Sequence, residues 1–128
     1  MTFDEHLHRI QHSRGQDLDE ALGALEADLD RLYPQYEAAV RSLPAGRLQA
    51  LLLSLLELRP LEQATDLCVD YLRSTDEAVR HWAVWGLARI DTKRSRTALF
   101  EALSINLDTA DETERFREHV RLARGELR

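Results

Sequence analysis

The chain has 128 residues, 44% of them apolar and 31% charged, with a formal net charge of −6. That length suits one domain with a core of its own, and the dominance of Leu over Val, Ile, Thr and the aromatics favours helix over strand. The negative balance disfavours nucleic acid and anionic bilayers as partners, and no apolar run approaches the roughly 18 residues of a spanning helix.

The single cysteine, Cys68, cannot close an intramolecular disulfide. It sits at an apolar position flanked by Asp66 and Asp70, so a buried thiol is expected, not a nucleophile. The opening MTFDEHLHRI lacks the basic start and apolar core of an export signal, so cytoplasmic residence is the expectation. Lys93 is the lone lysine among 17 basic residues, a bias toward GC-rich codons that points to a bacterial source.

In chain order, residues 2–13 predict a short helix with Thr2 as N-cap and Glu5 completing a capping box; Phe3, Leu7 and Ile10 share a face. Residues 17–32 carry Leu18, Leu22, Leu25, Leu29 and Leu32 at helical spacing. Pro34 predicts a fresh start, with residues 35–43 as a second helix ended by Pro44 and Gly46. Residues 47–58, RLQALLLSLLEL, are apolar on more than one face and are expected to be central. Pro60 opens a partner helix to about Arg73. Ser74, Thr75 and Asp76 offer capping oxygens for residues 77–90, with Val79, Trp82, Ala83, Gly86, Leu87 and Ile90 inward. Asp91 or Thr92 caps a helix to about Ile105, and residues 110–126 predict a charged terminal helix anchored by Phe116, Val120, Leu122 and Ala123.

Part of this pattern occurs twice. Leu48, Leu52, Leu56, Leu67, Cys68 and Leu72 return 31 places later as Val79, Ala83, Leu87, Ala98, Leu99 and Leu103. A period of roughly 30 to 45 residues built of two amphipathic halves marks stacked helical hairpins. The hairpins are expected near 17–43, 47–73 and 77–105, with capping helices 2–13 and 110–126, all in one domain spanning 1–128.

The stretch DEAVRHWAVWGLARI followed by TALFEAL resembles a HEAT-type repeat: an acidic residue, a Val-Arg pair, alternating small and large apolar residues, a turn, then Ala-Leu pairs. Val79, Arg80, Ala83, Leu87, Ile90, Ala98, Leu99, Ala102 and Leu103 hold the pattern's positions, while Trp82 and Trp85 are bulkier than usual. The resemblance implies an all-α, right-handed α-α superhelix of antiparallel hairpins, about seven to eight helices, serving as a scaffold whose second helices line the binding face. It implies neither a reaction nor a cofactor.

The candidate partner-binding residues are therefore Glu62, Asp66 and Asp70 in one repeat and Arg94, Thr97, Phe100 and Glu101 in the next. The row changes sign along its length, and Phe100 is placed to act as an apolar anchor. The expected partner is another protein, bound by an adaptor or an immunity-type inhibitor that is a monomer or weak homodimer. Two rival readings have a residue basis. Arg89, Lys93 and Arg96, with Arg94, concentrate positive charge around one turn and suit a phosphate or nucleic acid. Glu5, His8 and His12 share a helix face as a carboxylate-imidazole set for a metal-dependent enzyme. The bland alternatives are a solvated, ion-paired turn and a polar terminal helix. His81 and His119 read as surface histidines, Trp82 as buried and Trp85 as partly exposed.

Overall fold

The computed structural model describes residues 1–126, and these contain seven α-helices, one 3-10 turn and no strand. They divide into two compact units, Met1–Pro44 and a second from Ala45 onward.

The first unit pairs α1 (Phe3–Gln11) with α2 (Gly15–Ser42). The capping box at α1 forms as the sequence predicts: Glu5 N donates to Thr2 Oγ1 and Thr2 N to Glu5 Oε1, each at 3.2 Å. The backbone N–H of Thr2, with its hydroxyl, favours the ionised carboxylate and holds Glu5 below its ordinary value. Gly15 turns the chain between the helices at φ +55°, a left-handed conformation a side chain would resist.

The predicted break at Pro34 is absent, and α2 runs through it as one 28-residue helix, so residues 17–43 are not a hairpin. Ala21, Leu25, Leu29, Leu32, Tyr33, Tyr36 and Val40 form one buried stripe across the proline, while Pro34 itself faces solvent. Continuity of that stripe outweighs the loss of one backbone donor, a cost on the order of 3 kcal/mol.

A buried polar link fastens α1 to α2. His6, 2% exposed, donates from Nε2 to Asp28 Oδ2 at 2.9 Å; Arg31 meets the same carboxylate at 3.2 Å and donates to the Met1 carbonyl at 2.9 Å. The His6 bond is the main reason the Asp28 carboxyl sits below its usual range, with Arg31 adding to it.

The second unit comprises α3 (Arg47–Leu58), a 3-10 turn (Glu62–Ala64), α4 (Thr65–Tyr71), α5 (Glu77–Ile90), α6 (Lys93–Ala102) and α7 (Ala110–Ala123). It is an α-solenoid-like stack in which α5 packs on α3, α4, α6 and α7. The apolar α3 buries Gln49, Ala50, Leu52, Leu53, Leu55 and Leu56, but the hub of this unit is α5. Pro60 does not open α4. Leu61 is extended, the 3-10 turn intervenes, and Thr65 Oγ1 donates back to the Glu62 carbonyl at 2.7 Å before the α-helix proceeds.

Three later starts follow capping chemistry closely. Asp76, Thr92 and Thr109 accept from the third residue of α5, α6 and α7. Asp91 ends α5 in the left-handed region at φ 51°, a conformation aspartate tolerates better than most side chains. The helix after Thr92 stops at Ala102, short of Ile105, which is nonetheless buried. The terminal helix ends at Ala123, three residues short of its predicted span, where Arg124 and Gly125 form a turn with Gly125 at φ 80°.

Gly86 is where α5 comes closest to its neighbours. A Cβ there would stand 2.8 Å from Cys68 Sγ and 3.5 Å from Leu56 Cβ. Cys68 is fully buried at this crossing, and burial pushes its thiol up to about 12, which suits packing and not nucleophilic chemistry.

Candidate functional site

Successive turns of α4 and α6 lie side by side, so the exposed positions of both helices meet along one groove. Its volume is about 570 Å³, and Asp66 and Val69 line one wall while Lys93, Arg94, Thr97, Ala98 and Glu101 line the other. Leu67, Cys68 and Leu99 point to the core from the same helices, which leaves the polar row outside.

Of the seven candidate partner-binding residues, Asp66, Arg94, Thr97 and Glu101 line the groove. Arg94 and Asp66 form an ion pair across it, so the two signs predicted to alternate along the surface in fact answer each other. Both side chains remain more than half exposed, at 67% and 62%, and a pair of this kind is worth little to stability. Thr97 Oγ1 donates to the Lys93 carbonyl at 2.9 Å and keeps its lone pairs for a ligand. Glu62, Asp70 and Phe100 are exposed but do not line the groove. Phe100 follows Thr97 by one turn, is 61% exposed, and carries the Arg124 guanidinium over its ring at 5.1 Å.

The basic run does not converge on one point. Lys93 and Arg94 face the α4 groove, whereas Arg96 lines a separate cavity of about 210 Å³ with Asp91 and Arg124. There it donates to the Asp91 carbonyl at 2.9 Å and the Asp91 carboxylate at 3.0 Å. Arg89 is exposed in the last turn of α5, where its charge complements the helix dipole.

Glu5 and His8 lie on α1 with His12 at its C-cap, but Glu5 is engaged in the capping box. The His8 and His12 rings lie 4.1 Å apart, and His12 Nδ1 donates to the His8 carbonyl at 2.8 Å. Among the described residues no three His, Cys, Asp or Glu side chains gather as a metal site.

The sequence pattern of HEAT repeats matches residues 35–115, more than half of the chain. The chain belongs to the HEAT-repeat family. HEAT repeats are generally protein-interaction scaffolds and typically non-enzymatic. No curated protein and no solved structure shows a significant match to the chain. No helix among the described residues is long and apolar enough to cross a membrane.

The HEAT pattern's Val-Arg pair has a local purpose here. Val79 is fully buried, and Arg80, 5% exposed, donates to the Ser74 carbonyl at 2.8 Å and approaches Glu112 of α7 at 3.8 Å. It therefore ties the turn before α5 to the terminal helix.

Residue spacing missed a second cluster, in which the two histidines expected at the surface are half-buried and stacked on each other. Trp82, expected to be buried, is half-buried like Trp85, and the two flank this stack. His81 and His119 are separated by 38 positions on different helices, and only the packing of α7 on α5 brings them together.

Proposed function

We propose that this HEAT protein is a non-catalytic protein-binding module that recognises its partner through the exposed surface of α4 and α6. Within that reading it acts as an adaptor or as an immunity-type inhibitor that occludes a basic surface on its target. The observation that carries the proposal is the groove with both charge signs on its walls beside an exposed aromatic ring. Asp66 and Arg94 can exchange their mutual contact for partner charges, and Phe100 supplies the apolar area that concentrates binding energy. Glu62 and Asp70 extend the acidic flank, while Thr97 and Glu101 set the register.

Capture from the native lysate with the wild-type chain, Asp66→Arg and Phe100→Ala tests the reading. One stoichiometric protein is expected on the wild type, with affinity reduced at least about tenfold for Phe100→Ala. Both variants are expected to melt within about 4 °C of the wild type, because they alter exposed side chains. Retention of the same protein by all three chains overturns the assignment of the surface. DNA or RNA binding at low salt that is lost on removing Arg89, Lys93 and Arg96 moves the function to the basic run.

A further inference from the structure

His81 of α5 and His119 of α7 lie face to face, with centroids 4.5 Å apart and planes 11° from parallel. The stack sits where α7 is held against α5 and borders a cavity of about 100 Å³, which gives a proton a route to the rings. His119 Nε2 is buried without a hydrogen-bond partner. Two guanidiniums, those of the buried Arg80 and of Arg115, line the same cavity. Two neutral imidazoles suit this arrangement, whereas an imidazolium would bring a full charge into a half-buried stack, with Nε2–H lacking an acceptor.

We propose that the His81–His119 stack is an acid-sensitive clasp, holding the terminal helix α7 on α5 and loosening it when either ring takes up a proton.

Three carboxylates oppose this effect. Glu77 of α5 is drawn to Arg115 at 3.8 Å, Glu112 of α7 to Arg80 at 3.8 Å, and Glu57 of α3 acts on His81 through its field. Burial prevails over them. Desolvation, followed by the charge of His81, holds His119 down at about 4 against an ordinary 6.5. His81 is lowered too, by desolvation acting against Glu57 and Glu77. When α7 is released, His119 takes up its proton near 6.5, and when α7 is docked only near 4. The docked form is therefore fully favoured above the upper value and loses ground as pH falls toward the lower one. Phe116 and Val120, both buried, are the apolar anchors this loss must overcome.

Hydrogen exchange of the full chain at about pH 7.5 and about pH 5, corrected for intrinsic rates, measures the clasp directly. The population with α7 open is expected to rise at least about tenfold across that interval, with α3 amides changing much less. The Trp82 and His81 ring centroids lie 4.6 Å apart with their planes nearly perpendicular, and those of Trp85 and His119 6.0 Å apart, so tryptophan emission is expected to follow the same transition. His119→Phe keeps an aromatic face without the proton site and is expected to hold α7 closed at the lower pH. Equal opening of wild type and variant, or no opening in the wild type, overturns the clasp. Should the variant fail to fold, NMR titration of the wild-type His119 ring decides, and an unperturbed midpoint near the ordinary value overturns it.

Discussion

Leu52→Asp is expected to abolish cooperative folding of the second unit. Leu52 is fully buried in α3, the helix most extensively packed on α5. Removing its side chain forfeits about 2 to 3 kcal/mol of apolar transfer. The carboxylate that replaces it must be buried unpaired or protonated, costing several kcal/mol more. Their sum is comparable to the whole stability of a small domain, about 5 to 15 kcal/mol. Circular dichroism melts are expected to show loss of the transition, while Leu58→Asp, in the same helix but at a residue 70% exposed, melts like the wild type. A cooperative transition retained near the wild-type temperature in Leu52→Asp would mean that the buried face of α3 is wrongly assigned.

Gly86→Val is expected to destabilise the protein by about 3 kcal/mol, although valine has the better helix propensity. The first carbon added at this position falls 2.8 Å from Cys68 Sγ, inside contact distance, and Leu56 closes the other side. Neither helix can shift without disturbing the stack around α5. Gly86→Ala is the milder test, with an expected loss of about 1 to 3 kcal/mol. Cys68→Ala alone leaves a small void and costs about 1 kcal/mol. Combining them moves one heavy atom's volume from α4 to α5, so the double variant is expected to be more stable than the sum of the single losses predicts. Urea denaturation of the four chains measures that coupling. Strict additivity would show that Gly86 and Cys68 do not share this space.

What could be read from residues alone was local. Thr2 with Glu5, Asp76 and Thr92 mark helix starts by side-chain capping, which requires only neighbours three places along. The 31-residue echo identifies repeated helical pairs because each must present its apolar stripe at the same spacing. By the same logic Asp66, Arg94, Thr97 and Glu101 could be placed on exposed helix faces, and the HEAT resemblance could be seen from residues 76–103.

Tertiary structure decided the questions that depend on distant partners. Pro34 reads as a break because its local cost is visible in sequence, whereas the buried stripe that carries α2 through it gains its value only on packing. The ion pair between Asp66 and Arg94 depends on how α4 and α6 are juxtaposed, and it turns two candidate binding charges into one preformed contact. The fate of the histidines shows the same division most clearly. His81 and His119 looked solvated yet stack between helices. Helical periodicity assigns a residue to a face of its own helix. Whether that face meets water or another helix is set by long-range packing, which alone brought these rings together and withdrew them in part from solvent.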